Sequence, residues 1–385
     1  MKSRVPKVLQ TVGGQPMIIH VLRTAMQLQP AGVHVVFNPQ APEVREACSA
    51  FDITWAAQAQ QLGTGHAVQQ AMPGIPEEAD VLVLYGDIPL LEADVLRGLI
   101  ELPSTGIKIL TMDIAEPHGY GRIVRDSDNN VTGIVEERDA TAAQRAITEV
   151  NSGIIMASHP VLMSCLENMV SDNSQNEYYL TDVVSIACEK GIRSSGIVAP
   201  VATDLEGAND RIQLAELERR YRMKKSTQLM RAGVQLADPQ RVDVRGSVEA
   251  GSDVYIDVNV VLEGDISLGD DVHIGPGCVL KNCHLAAGTR VHAYSVLEGM
   301  RSLGACDIGP FARVRPGTEL MEGSKVGNFV EVKNTFLGKN SKASHLSYLG
   351  DSSIGERVNI GAGTITCNYD GVNKHRTVIE DDVFI

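Results

Sequence analysis

The chain has 385 residues, 43% apolar and 21% charged, which excludes a mostly disordered protein and accommodates two domains at about 100–200 residues each. Its net charge of −14 argues against non-specific wrapping of nucleic acid, though not against an anionic small substrate. No apolar run approaches the ~18 residues of a membrane-spanning helix, and no apolar segment follows the basic N-terminal residues as in a signal peptide.

The seven cysteines are scattered and odd in number, which suits free thiols in a reducing cytoplasm better than a disulfide framework. No Cys-x2-Cys or His-x3-His spacing points to zinc. Thirty-six glycines with only 4% aromatics fit a solenoid with many tight corners and little room for rings inside.

Up to about residue 210, short β-rich runs alternate with helical patterns. Val33 to Phe37 reads as a strand, and Gly65 to Met72 as a helix. Val81-Leu82-Val83-Leu84-Tyr85 is a continuous apolar run ending in Gly86-Asp87, the look of a buried parallel strand. A helix is expected over Glu92 to Glu101 and a strand over Ile107 to Ile114. This order predicts an α/β sheet with parallel neighbours, whose ligands sit beyond the carboxyl ends of the strands. Asp87 lies at such an end. Residues 211–231 read as a charged connecting helix, within a linker 211–233 between a domain 1–210 and a domain 234–385.

From about residue 250 the period becomes six. Ile256, Leu262, Leu268, Ile274 and Leu280 recur at that spacing, and Val260, Ile266, Val272 and Cys278 follow four residues after the first four. The phase slips near Cys283 and returns at Ile308, Val314, Ile354 and Ile360. A sixfold period suits neither an α-helix nor a flat sheet, and is the signature of a parallel β-helix with about 18 residues per coil. Cys367 to Gly371 and Lys374-His375 break the pattern and should project as a loop.

Several local motifs are chemically suggestive. Lys7 is either a surface lysine or a point charge for phosphate. Gln61-Leu62-Gly63-Thr64-Gly65-His66 is a glycine-rich helix entry, open to a ligand or an ordinary turn. Asp87 is placed either to hold Mg²⁺ or to cap the next segment. Gly119-Tyr120-Gly121-Arg122, Val135-Glu136-Glu137, Glu149 to Gly153 and Glu206-Gly207-Ala208-Asn209 are each turns or site elements.

Taken in order, Lys7, Gln58, Gly63-Thr64-Gly65, Tyr85-Gly86-Asp87, Gly119 to Arg122, Glu136, Asn151 and Asn209 resemble the sugar-1-phosphate nucleotidyltransferases. With a hexapeptide β-helix behind them, the whole chain resembles the bacterial bifunctional UDP-N-acetylglucosamine pyrophosphorylase/glucosamine-1-phosphate N-acetyltransferases. The resemblance implies an α/β nucleotidyltransferase (Rossmann-like) domain followed by a left-handed parallel β-helix. It implies that Lys7, Gln58, Gly63, Thr64, Tyr85, Gly86, Gly121, Glu136, Asn151 and Asn209 hold UTP and the N-acetylglucosamine moiety, and that Asp87 and Asn209 hold Mg²⁺. In the second half it implies His345 as general base, and Arg315, Lys333, Tyr348, Asn359 and Lys374 on glucosamine 1-phosphate. Ala362, Asn368 and Tyr369 would lie on acetyl-CoA. A cytoplasmic homotrimer is expected, with UTP, N-acetylglucosamine 1-phosphate, glucosamine 1-phosphate and acetyl-CoA as its small-molecule partners.

By the same resemblance, Met1 falls at the end of the family's Leu-x-x-Gly-x-Gly-Thr-x-Met opening. The chain stops mid-repeat at Val383-Phe384-Ile385, so it reads as cut short at both ends. The competing readings are a single-activity sugar-1-phosphate nucleotidyltransferase and a non-catalytic trimeric scaffold.

Overall fold

The computed structural model describes residues 1–103, 106–173 and 175–385. The chain divides into two compact units, Met1–Leu217 and Glu218–Ile385, with the helix Arg211–Arg231 running through the boundary.

In the first unit, His34–Phe37 and Thr54–Ala57 form a parallel two-stranded sheet. A separate six-stranded sheet has the order Asp80–Val83, Glu149–Ser158, Ile107–Asp113, Ser194–Val198, Val131–Val135, Arg122–Arg125. The expected parallel neighbours are found for Ile107–Asp113 beside Ser194–Val198. They are not found for the strand that leads to Asp87, because Asp80–Val83 runs antiparallel to Glu149–Ser158. A continuous apolar run reports burial on both faces and carries no information on direction. That strand also ends at Val83, so Tyr85-Gly86-Asp87 lies in the turn beyond it. Helices cover the sheet through narrow apolar faces, as where Ala93, Leu96 and Leu99 bury one side of Ala93–Glu101.

The second unit is a left-handed parallel β-helix. Val261 pairs with Val279, 18 residues on, and Ser267 with His284, 17 residues on. Ile256, Val260, Leu262, Val272, Ile274, Cys278 and Leu280 are all fully buried, so the six-residue period is the inward ladder of the prism. The slip at Cys283 is the change from 18-residue to 17-residue coils. Inward hydroxyls take the small positions and donate to backbone carbonyls, as Ser341 does to Gly355 at 2.6 Å and Ser347 to Gly361 at 3.1 Å. Many corners are left-handed and filled by Asn or Asp, including Asp253, Asn259, Asp271, Asn282, Asn334, Asn340 and Asp351. Those side chains tolerate positive φ better than other non-glycine residues. Tyr294, Phe311 and Phe329 also turn corners at positive φ, and their rings stack at 5.4 Å in a column on the outside.

The one long interruption is the projecting loop. Ser352–Ile354 pairs with Thr377–Ile379, a return of 25 residues, so the ladder resumes in register after residues 367–375 have left the prism. Within the loop Tyr369 bridges Lys374 antiparallel.

Each rung touches only the coils above and below, so the prism cannot spread the loss of one rung. Leu280→Ala should cost about 2–5 kcal/mol, read as a lowered urea midpoint of the second unit's unfolding. An unchanged midpoint would show that this rung does not support the coil.

Candidate active sites

In the first unit three distant stretches converge on one amine. Lys7 Nζ lies 2.5 Å from Asp87 Oδ2 and donates to Asn209 Oδ1 at 2.6 Å. Asp87 is delivered by the turn after Asp80–Val83, and Asn209 by the segment that opens the helix Arg211–Arg231. Gly207 makes the convergence possible, because a β-carbon there would lie 2.6 Å from Asp87 Oδ2. One carboxylate and one amide oxygen form a hard donor pair. That pair suits a divalent cation which keeps waters and completes its shell with phosphate oxygens. Among the described residues, no group of three or more His, Cys, Asp and Glu could hold a metal by itself.

Tyr85 stands beside this cluster. Burial pushes its phenol up to about 12, with the Glu136 and Asp87 charges adding and the Thr64 hydroxyl opposing. The ring lies against Gly153, where φ is +85° and a β-carbon would meet the ring at 1.7 Å. Asn151 Oδ1 accepts from the Gly153 amide at 3.0 Å, and the Asn151 backbone N–H donates to the Gly121 carbonyl at 2.9 Å. Gly121 in turn lies against the Glu136 carboxylate. Gln58 Nε2 reaches the Gly63 carbonyl at 3.1 Å and His66 Nδ1 at 3.0 Å, which fixes the glycine-rich turn. Thus Lys7, Asp87 and Asn209 form one group. Tyr85, Thr64, Glu136, Gly121 and Asn151 form a second beside it, and Gln58 and Gly63 flank the helix entry.

The sequence reading missed the segment Tyr178 to Asp182, which ties these pieces together. The Leu180 amide donates to Thr64 Oγ1 at 3.0 Å, Gly65 donates to the Tyr178 carbonyl at 2.8 Å, and Thr181 Oγ1 donates to Glu136 Oε1 at 3.3 Å. Its signal was the run Glu177-Tyr178-Tyr179-Leu180-Thr181-Asp182, two tyrosines together in an aromatic-poor chain. Arg122, with 1% of its side chain exposed, was read only as part of the Gly119 to Arg122 motif. It pairs with Glu137 at 2.6 Å, while Glu137 accepts from Gly119, so the pair clamps the turn carrying Gly121.

In the second unit, register sets the arrangement. Val314 pairs with Val332, which puts Arg315 and Lys333 side by side on the outer face, and Lys333 pairs with Gly350 on the next coil. Arg315 is held by Glu331 at 2.9 Å, and Glu331 pairs with Tyr348. Asp351 is a hub between this face and the projecting loop. Its two oxygens accept from Asn334 at 2.7 Å and from Asn368 at 2.5 Å. Those bonds, the Asn334 one foremost, together with the charges of Lys333 and Lys374, hold its carboxyl below the ordinary range. Lys333, Asn368 and Lys374 are thereby gathered around one carboxylate. Tyr369 is exposed at the loop tip, its hydroxyl donating to the Gly371 carbonyl at 2.6 Å. His345 is exposed at the corner three residues before Tyr348, with Nδ1 2.6 Å from Asn328 Oδ1. Asn359 pairs with Lys342 in the sheet that carries His345, on the other side of that corner from Tyr348. Ala362 is exposed at the same corner one coil on from His345.

Comparisons with known proteins agree with this two-part architecture. Residues 1–164 match the MobA-like NTP transferase domain, and residues 251–282 the bacterial transferase hexapeptide (six repeats). The bifunctional protein GlmU of Alkalilimnicola ehrlichii is 51% identical over 385 residues, covering 100% of this chain and 83% of that protein. That of Acinetobacter baumannii (strain ACICU) is 50% identical over 386 residues, and that of Paraburkholderia phytofirmans 51% over 386, each covering 100% of this chain and 85% of the relative. The chain belongs to the bifunctional GlmU family. It is a transferase with a nucleotidyltransferase region followed by a hexapeptide acetyltransferase region. Among the described residues, no helix is long and apolar enough to cross a membrane.

Burial raises the Glu136 carboxyl above its ordinary range, with Asp182 and Asp139 adding and the Thr181 hydroxyl opposing. A raised folded-state value means that ionisation costs the folded state once the pH exceeds the unfolded carboxylate's range. Glu136→Gln should therefore melt above the parent at pH 8, and the gain should vanish below about pH 4, where the carboxyl is protonated folded or unfolded. A gain that persists undiminished at low pH would rule out this origin.

Proposed function

We propose that the first unit transfers uridylyl from UTP to N-acetylglucosamine 1-phosphate and that the second acetylates glucosamine 1-phosphate from acetyl-CoA. Together these steps yield UDP-N-acetylglucosamine. The observation that carries the first half is the convergence of Lys7, Asp87 and Asn209 on one point beside Tyr85 and Glu136.

In uridylyl transfer, a phosphate oxygen of the sugar phosphate attacks the α-phosphorus of UTP. The bond from that phosphorus to the bridging oxygen breaks, and pyrophosphate leaves. The protein's part is positioning and charge. Lys7 supplies a mobile cation for the phosphates, and Gln58, Gly63 and Thr64 line the nucleotide end. Gly121, Glu136 and Asn151 hold the sugar, with Tyr85 and Gly86 walling the space between. Asp87 and Asn209 would hold Mg²⁺, which when bound neutralises phosphate charge. The Lys7 ammonium sitting on both of their oxygens supports a cation-seeking site there.

In acetyl transfer, the amine of glucosamine 1-phosphate attacks the thioester carbonyl. A carbon–nitrogen bond forms, the carbon–sulfur bond breaks, and the departing thiolate takes up a proton. His345 accepts the amine's proton, a role that an imidazole performs as a general base. Arg315, Lys333 and Lys374 face the sugar phosphate, Tyr348 and Asn359 hold the sugar, and Ala362, Asn368 and Tyr369 border the acetyl donor. A cytoplasmic setting is supported by the seven free cysteines, two of whose thiols, Cys278 and Cys306, are pushed up to about 11 by burial. Assembly as a homotrimer is part of the same reading.

The two halves separate by mutation. Asp87→Ala should abolish pyrophosphate release from UTP and N-acetylglucosamine 1-phosphate while leaving thiol release from acetyl-CoA intact. His345→Ala should lower thiol release by about 10²–10⁴-fold and leave pyrophosphate release unchanged. Loss of both activities in both variants, or of neither, would overturn the assignment.

A further inference from the structure

The corner that carries His345 is repeated on every coil. The residue just before the left-handed turn at this corner occupies one outer column: Val258 before Asn259, Pro276 before Gly277, Ala293 before Tyr294, Pro310 before Phe311, Asn328 before Phe329, His345 before Leu346 and Ala362 before Gly363. Val, Pro and Ala fill this column from Val258 to Ala362 except at Asn328 and His345, the two polar positions. Those two are register partners on adjacent strands, one coil apart, and their side chains meet at 2.6 Å through Asn328 Oδ1 and His345 Nδ1.

We infer that Asn328 is a positioning residue for acetyl transfer, holding the His345 imidazole as its Nδ1–H tautomer so that Nε2 is the basic nitrogen. This rests on His345 being the general base. An amide oxygen only accepts, so the bond to Oδ1 requires the proton on Nδ1 and leaves the Nε2 lone pair free. The neutral imidazole has two tautomers, and only the one with the lone pair toward the amine removes its proton. The flanking Phe329 and Leu346 side chains are 58% and 61% exposed, so they leave the outer side of this pair open to a ligand. Asn328 touches no substrate in this scheme and acts through the ring alone.

The test is a ¹⁵N spectrum of the histidine-labelled parent protein at about pH 8, above the usual imidazole range. The His345 signals are assigned by their loss in His345→Gln. A pyrrole-type Nδ1 and a pyridine-type Nε2 are expected, and the reverse pattern overturns the inference whatever the variants do. In kinetics, Asn328→Ala should lower kcat for acetyl transfer by about 10–100-fold, the size found for partners that orient a ligating histidine, with KM for glucosamine 1-phosphate little changed. Asn328→Asp keeps an acceptor in place and should recover much of the loss. An unchanged kcat in Asn328→Ala, or a rise in KM with no fall in kcat, overturns the inference. Retained acetyl transfer in His345→Ala would instead sink the general-base reading, leaving the tautomer result to stand or fall on its own spectrum.

Discussion

The second half of the molecule depends on one constraint, the burial of one aliphatic side chain per side of each coil. Adjacent strands of a sheet lie about 4.8 Å apart, so an inward residue stacks on its counterpart one coil away. Once Leu280 lies on Leu262 and Leu297 on Leu280, every outward side chain also has a fixed neighbour. Lys333 beside Arg315 and His345 above Asn328 follow from that register. No local hydrogen bond could hold these groups at one corner if the inward ladder were free to slip by a residue, because a slip exchanges inner and outer faces.

The first unit reaches its geometry by close approach. Asp87, Lys7 and Asn209 come from three distant stretches of the chain and meet only because Gly207 has no side chain to keep Asp87 away. Tyr85 settles on Gly153 for the same reason. The polar groups around Glu136 then pin the turn of Gly121 and the entry of the helix Thr64–Ala71 against one another.

These two modes of construction explain what was legible in the sequence. The prism was readable in detail because its contacts recur at a fixed spacing, and even the slip at Cys283 was visible as a change of coil length. Asn328 could have been found in the same way, since it lies one coil before His345 in a column otherwise made of Val, Pro and Ala. The sheet of the first unit was readable in its elements but not in its pairing. Val81 is buried and Leu82 and Val83 half-buried, and nothing in those residues distinguishes a parallel from an antiparallel neighbour. The Tyr178 to Asp182 segment was harder to place for another reason, with only its paired tyrosines to mark it. Its bonds to Thr64 and Glu136 join residues with no shared period, one through a backbone amide that every residue possesses and one through the Thr181 hydroxyl.

The 25-residue return between Ser352 and Thr377 has an evolutionary consequence. The ladder closes on both sides of the excursion, so residues 367–375 are anchored at their two ends and by the bond of Asn368 to Asp351, and contribute nothing to the inward core. Lengthening such a loop adds closure entropy that grows only as the logarithm of its length, about 0.6 kcal/mol per doubling. The scaffold can therefore tolerate rewriting of that stretch almost residue by residue while the rigid face of Arg315, Lys333 and Tyr348 stays in place. An enzyme built this way can change what it accepts by editing an appendage, leaving the folding code of the prism untouched.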